Sequence, residues 1–87
     1  MSSVLMYCTA NCPFCLRAKN LLKRKGIAYT EIPVDHDPEQ MQIMMQRSKR
    51  RTVPQIFIGD HHVGGYDDLA AADAGGELDE LLANLAH

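Results

Sequence analysis

The sequence predicts a single α/β domain, residues 1–87, in which a four-stranded mixed sheet is flanked by helices. Two observations predict this class. Short apolar runs alternate with amphipathic segments bounded by helix-start and helix-stop residues, in the order β-α-β-α-β-β-α followed by a last helix. In addition, 46% of the residues are apolar and 23% are charged, which is ordinary for a globular domain and argues against disorder.

The first third of the chain predicts a strand, a helix and a second strand. Val4 to Cys8 is a nearly continuous apolar run, which is typical of a strand buried on both faces. We expect the first helix to begin at Cys12 or Pro13, since Pro is favoured at the first helical position, and to end at Gly26. Ile27 to Val34 predicts the second strand, parallel to the first because a helix joins them.

The middle of the chain predicts a second helix and a hairpin. Asp37 and Pro38 form a helix start, with Asp as the cap and Pro at the first position. The segment Arg47 to Arg51 is predicted to be a basic loop. Gln55 to Ile58 and a short segment near His61 to Val63 are predicted strands joined by a tight turn, so we expect an antiparallel hairpin.

Two glycine pairs delimit the last two helices. Gly64 and Gly65 precede a helix from about Tyr66 to Ala74, and Gly75 and Gly76 break it. The last helix is amphipathic, and its apolar stripe consists of Leu78, Leu81, Leu82 and Leu85.

Charge and cysteine content exclude several classes of protein. The net charge of −2, from nine basic and eleven acidic residues, gives no electrostatic basis for binding nucleic acid. Three cysteines, an odd number, argue against the disulfide framework of a small secreted domain. No basic residue precedes the first apolar run, so we expect no signal peptide and no membrane span. We therefore expect a cytoplasmic protein, and separately we expect it to be a monomer.

The segment Cys12-Pro13-Phe14-Cys15 places two thiols at a strand-to-helix junction, a pattern that indicates a redox dithiol. Unpaired N–H groups and the positive end of the helix dipole favour the thiolate there, so we expect Cys12 to be the nucleophile. Cys15 lies one turn further along on the same helix face, where it can act as the resolving thiol.

Other interpretations of the cysteines remain open. A zinc site would need two further ligands from the histidines, and two unrelated core cysteines are also possible. Cys8 falls at the end of the first strand, where it is either a small buried apolar residue or a third redox thiol. The histidines are His36, His61, His62 and His87.

Three motifs together resemble those of the dithiol glutaredoxins, in particular the short bacterial glutaredoxin 3 type: Cys12-Pro13-Phe14-Cys15, Thr52-Val53-Pro54 and Gly64-Gly65-Tyr66-Asp67-Asp68. The resemblance covers essentially the whole chain. It implies the thioredoxin fold, no tightly bound cofactor or metal, and glutathione as co-substrate. It further implies reduction of glutathionylated proteins and of disulfide proteins, with ribonucleotide reductase as a family-typical partner.

The resemblance also implies a glutathione site. The Val53–Pro54 bond is expected to be cis, with the Val53 backbone pairing with the cysteine moiety of glutathione. The N-terminus of the third helix would hold the γ-glutamyl carboxylate, and Asp67 and Asp68 its ammonium, although both acids are equally explained as helix caps. The implied glutathione contacts are Phe14, Arg47, Thr52, Val53, Pro54, Gly65, Tyr66, Asp67 and Asp68.

The chain departs from the family pattern at two positions: Phe14 stands where many members have Tyr, and Thr9 where many have Lys. The missing lysine weakens the expected binding of the glycyl carboxylate. The basic segment would supply that contact instead, with Arg47 favoured over Lys49, Arg50 and Arg51, unless the segment is only a solvated loop.

Two rival functions are considered. A thioredoxin-like protein reduced by a flavoenzyme is disfavoured because no Trp precedes the cysteine pair. An iron–sulfur cluster carrier, held by Cys12 and glutathione between two subunits, is disfavoured because such glutaredoxins usually have one active-site Cys, whereas this chain has Cys15 as well.

Overall fold

The computed structural model describes residues 4–85. It confirms the predicted element order and the α/β class of the thioredoxin fold. None of the helices in the described range is long and apolar enough to cross a bilayer. The elements are β1 (Val4–Cys8), α1 (Pro13–Arg24), β2 (Thr30–Pro33), α2 (Pro38–Ser48), β3 (Gln55–Ile58), β4 (His61–Gly64), α3 (Tyr66–Ala74) and α4 (Glu77–Leu85).

The four strands form one mixed sheet in the order β2-β1-β3-β4. β1 pairs in parallel with β2, as the helix crossover predicts, and β3 pairs antiparallel with β4. β1 and β3 are also antiparallel, so the sheet contains a second antiparallel pair beside the predicted hairpin. The reason is that the chain returns after α2 to the end of the sheet where β2 ended, so Gln55 begins β3 beside Tyr7 near the end of β1.

The helices cover both faces of the sheet. One face carries α1, α3 and α4, and the other carries α2, whose fully buried Met44 packs with Tyr7, Val34 and Phe57. β1 is buried along nearly its whole length because its alternate side chains enter the two cores, as the apolar run predicts. The core on the first face includes Val4, Met6, Cys8, Cys15, Ala18, Leu21, Leu22, Ile56, Ile58, Leu69, Ala72 and Leu78.

The second strand is shorter than predicted, beginning at Thr30 and not at Ile27. Gly26 takes a positive φ of 70° and ends α1, as predicted. The Ile27 N–H then donates to the Leu22 carbonyl at 2.9 Å, and the Gly26 N–H donates to the Lys23 carbonyl at 3.0 Å. These two bonds form the helix-ending Schellman motif, so the Ile27 amide belongs to the helix end and the strand starts later.

The second helix begins as predicted and ends later than predicted. Asp37 is its N-cap, and a carboxylate oxygen accepts from the Gln40 N–H at 3.2 Å. The helix continues through Ser48, whose hydroxyl donates to the Met44 carbonyl at 2.7 Å. The prediction of a loop from Arg47 onward is therefore wrong, because Arg47 lies within the last helical turn.

Candidate active site

The two cysteines of the Cys-x-x-Cys motif lie at the start of α1. Cys12 is the N-cap residue, and its Sγ accepts a hydrogen bond from the Cys15 N–H at 3.2 Å. Pro13 occupies the first helical turn, where its missing N–H costs nothing. Cys12 is half-buried, whereas Cys15 is only 1% exposed. One thiol is thus accessible at the positive end of a helix dipole, and the other lies beneath it.

The segment before β3 meets the accessible thiol from the opposite side. The Cys12 thiol lies 3.7 Å from the Val53 carbonyl oxygen, to which it donates. The Val53–Pro54 peptide bond is cis, as the resemblance implies. This contact exists because β3 begins beside the end of β1, which brings two segments 41 residues apart onto one sulfur atom.

The other two thiols are held in their neutral form by burial. Burial, and after it the hydrogen bond to Cys12, raises the pKa of Cys15 to about 12. Burial also raises the pKa of Cys8 to about 11, with a smaller contribution from the negative charge of Glu31. The Cys8 thiol is 1% exposed, and its Sγ lies 3.9 Å from the Ile32 carbonyl oxygen. Of the two interpretations of Cys8, this environment matches the buried core residue.

We predict that the three thiols differ sharply in their reactivity. At pH 7 a thiol whose pKa is about 11 is ionised in about one molecule in ten thousand, so Cys8 and Cys15 should resist alkylation. Iodoacetamide should modify the native reduced protein at Cys12 alone, and all three cysteines after unfolding in guanidinium. Peptide mapping by mass spectrometry measures this. Equal labelling of Cys8 and Cys12 in the native protein would contradict the assignment.

A groove of about 190 Å³ is lined by Val53, whose carbonyl oxygen accepts the hydrogen bond from the Cys12 thiol. We call it the active-site groove. It brings together every predicted glutathione contact except Arg47. It also contains Arg50, which had been ranked below Arg47 as a glutathione contact. The lining residues are Phe14, Arg50, Thr52, Val53, Pro54, Gly65, Tyr66, Asp67 and Asp68.

The structure places Arg47 outside the active-site groove. Its Nη1 donates to the Tyr7 hydroxyl at 3.1 Å, and its guanidinium carbon lies 4.1 Å from the centroid of the Phe57 ring. Both partners belong to the core beneath α2. The guanidinium in the groove is that of Arg50, which follows the end of the helix. Sequence reasoning named four basic residues without locating the helix end, and that end determines which of them faces the groove.

Arg50 pairs with the acidic start of α3. Its Nη1 lies 2.9 Å from Asp68 Oδ2, and the Gly65 N–H donates to the same carboxylate oxygen at 3.0 Å. The Arg50 guanidinium, and after it the Gly65 amide, lowers the pKa of Asp68. Asp68 therefore caps the helix while lining the groove, so its two proposed roles are compatible. Asp67 is exposed at the groove edge.

Both the backbone conformation at position 64 and the neighbouring Asp68 side chain require a glycine there. Its φ is +121°, and a Cβ at this position would collide with the Asp68 carboxylate. We predict that Gly64→Ala lowers the free energy of unfolding by about 1–3 kcal/mol through backbone strain, and further by displacing Asp68. The matched control is Gly76→Ala, because Gly76 has a φ of +82° but open space where the Cβ would lie. This variant should lose only the free energy of unfolding that backbone strain costs. Equal losses for the two variants in urea unfolding would contradict the collision.

The zinc alternative requires two further ligands beside the cysteine pair. Among residues 4–85, no three His, Cys, Asp or Glu side chains are grouped as metal ligands would be. His87, which that alternative also named, lies outside the described residues.

Comparison with known proteins gives consistent matches. The family model described as Glutaredoxin matches residues 4–63. Glutaredoxin 3 of Escherichia coli strain K12 is 50% identical over 82 residues, which cover 94% of this chain and 99% of that protein. The solution structure of glutaredoxin from Brucella melitensis has a TM-score of 0.82 at 51% identity, covering 94% of this chain and 89% of that one. A crystal structure of a buckwheat glutaredoxin–glutathione complex has a TM-score of 0.87 at 28% identity. The match covers 95% of this chain and 78% of that one.

Proposed function

Because the chain belongs to the glutaredoxin family and is a thiol oxidoreductase, we propose that it uses glutathione to reduce glutathione mixed disulfides and protein disulfides through Cys12 and Cys15. One observation carries the proposal. The half-buried Cys12 thiol donates to the Val53 carbonyl at 3.7 Å, and Val53 lines a groove that contains a guanidinium and a helix N-terminus. These groups complement a small thiol peptide with a carboxylate at each end.

Glutathione is proposed to lie along the active-site groove with its sulfur at Cys12. The Val53 backbone pairs with the cysteine moiety as a short added strand, and the N-terminus of α3 receives the γ-glutamyl carboxylate. Asp67 or Asp68 receives the ammonium group. We propose Arg50, in place of Arg47, as the guanidinium that binds a glutathione carboxylate, because Arg50 lines the groove and Arg47 contacts Tyr7. The support from relatives is the glutathione complex of the buckwheat protein.

The first proposed reaction uses one protein thiol. The Cys12 thiolate attacks the glutathione sulfur of a glutathionylated protein, the disulfide bond breaks, and the protein thiolate leaves and takes a proton. A second glutathione thiolate then attacks the glutathione sulfur on Cys12. Oxidised glutathione leaves, and the Cys12 thiolate is restored. One free glutathione is thus consumed, and the other half of the oxidised glutathione is the one that was bound to the protein substrate.

The second proposed reaction uses both thiols. Cys12 attacks a protein disulfide and forms a mixed disulfide, and Cys15 then attacks the Cys12 sulfur, which releases the reduced protein and leaves a Cys12–Cys15 disulfide. The order of the steps follows from electrostatics. Negative charge on Cys12 raises the pKa of Cys15, so the resolving thiol becomes easier to ionise once Cys12 is bound in a disulfide. Two glutathione molecules then reduce the pair.

The setting proposed for these reactions is the cytoplasm, with the protein acting as a monomer and without nucleic acid, membrane or tightly bound cofactor. The protein substrates are proposed to be glutathionylated proteins and disulfide proteins, ribonucleotide reductase among them.

The test is a coupled assay with a glutathionylated peptide, in which glutathione and glutathione reductase supply the electrons. Turnover that depends on glutathione supports the proposal. Turnover only with a thioredoxin reductase would instead support the thioredoxin-like alternative. A brown protein with visible absorbance after anaerobic purification would support the iron–sulfur carrier.

A further inference from the structure

We propose that His62 on β4 is a positioning residue for glutathione binding, acting through the buried side chain of Gln55 on Thr52. The inference rests on the proposed function, because Thr52 and Val53 line the active-site groove. His62 itself does not line the groove, so its effect must pass through other residues.

The hydrogen bonds of Gln55 determine which end of its side-chain amide faces Thr52 and which faces His62. Gln55 is 0% exposed, and its Nε2 donates to the Thr52 carbonyl at 3.0 Å and to the Thr52 hydroxyl at 3.2 Å. A carbonyl oxygen only accepts, so the NH₂ end of the amide must face Thr52. The amide oxygen then faces His62 Nε2, which lies 2.7 Å away. It follows that His62 Nε2 carries the proton and donates it.

The surroundings of the ring hold this donor in place. The His62 imidazole stacks on Phe57 with 4.8 Å between centroids and a tilt of 30°. Burial lowers the pKa of His62, the positive charges of Arg50 and Arg47 lower it further, and Asp68 opposes them. The ring is therefore neutral at pH 7, with its one N–H committed to Gln55.

Loss of the His62 donor would remove the hydrogen bonds that position Thr52 in the groove. The Gln55 amide oxygen would be left without a partner at a fully buried position, which is costly. The amide could then rotate, and Thr52 would lose the two bonds that hold its carbonyl and hydroxyl. Thr52 directly precedes Val53, whose carbonyl contacts the Cys12 thiol and whose backbone is proposed to pair with glutathione.

The experiment compares three variants in the coupled assay with the full-length protein. His62→Phe keeps a ring on Phe57 but removes the donor, and His62→Gln restores an N–H donor near the same place. His61→Gln is the matched control, because His61 is exposed on the neighbouring position and makes none of these contacts. His62→Phe should raise the KM for the glutathionylated peptide about three- to tenfold, as loss of one buried hydrogen bond would, with kcat little changed. His62→Gln should restore much of the loss.

The outcomes separate this inference from the proposed function. If the wild-type protein does not turn over the glutathionylated peptide with glutathione, the proposed function fails. If it does and His62→Phe has the same KM, then the positioning role of His62 is wrong, even if the variant melts at a lower temperature. A KM that His62→Gln fails to restore would also overturn it, because a donor is then not what matters.

A measurement on the wild-type chain keeps the inference testable if His62→Phe does not fold. Nitrogen-15 NMR of the ring should show the proton on Nε2, protected from exchange with water. The signals of this proton and of the Gln55 side-chain amide should shift when Cys12 is glutathionylated in a Cys15→Ser protein. A proton found on Nδ1 would overturn the proposal, as would signals that do not respond to glutathionylation.

Discussion

Cys12→Ser is expected to abolish glutathione-coupled reduction of both mixed disulfides and protein disulfides, by at least about a thousandfold. The reason is chemical, since a serine hydroxyl does not ionise near neutral pH and cannot form the disulfide on which both proposed reactions depend. No other thiol replaces it, because Cys8 and Cys15 are buried and their pKa values are raised to about 11 and about 12. The measurement is the rate of oxidised-glutathione formation.

The matched control for this prediction is Cys8→Ala. It removes a thiol from the core without touching the groove, so it should lower the free energy of unfolding and leave the reduction rate unchanged. A large loss of activity in this variant would revive the interpretation of Cys8 as a third redox thiol. Residual activity in Cys12→Ser would contradict the assignment of the nucleophile.

Cys15→Ser is expected to separate the two reactions. Reduction of a glutathionylated peptide should continue, because that route uses Cys12 alone. Reduction of a protein disulfide should fall by at least about a hundredfold, because an intramolecular thiol at high effective concentration is lost and must be replaced by free glutathione. The two rates are measured with the same enzyme preparation, so folding defects cancel in their ratio. Loss of both activities in a folded protein would show that Cys15 has another role.

The parts of the fold that the sequence predicted well are those with local causes. Pro13 at the start of α1 and Gly26 after its end determine that helix within about one turn. Asp37 before Pro38 does the same for α2. Once these helices are placed, the apolar runs between them have to be strands, and the helix crossover makes the first two parallel.

The parts it missed depend on contacts between distant segments. Whether Arg47 or Arg50 faces the groove depends on two further residues of α2, Arg47 and Ser48. The Ser48 hydroxyl secures this helix end by donating to the Met44 carbonyl and accepting from the Arg50 N–H. The antiparallel pairing of β1 with β3 depends on where α2 returns the chain. Neither leaves a periodic signal in the sequence.

The hydrogen bonds that link His62 through Gln55 to Thr52 were still harder to predict from the sequence. A polar Gln55 at the start of an apolar strand is consistent with either an exposed strand end or a buried hydrogen-bonded amide, and only its surroundings decide between them. The motif residues of the active-site groove, in contrast, could be named in advance from the resemblance, although their contacts with glutathione stay predictions.

The most direct test of the central claim identifies what Cys12 carries after a single turnover. The Cys15→Ser protein, reduced and freed of glutathione, is mixed with one equivalent of a glutathionylated peptide and quenched with acid, and its mass is measured intact. Our account predicts glutathione on Cys12 and the peptide released as a free thiol, because the active-site groove is proposed to bind the glutathione half. Cys12 carrying the peptide, with glutathione released, would contradict it.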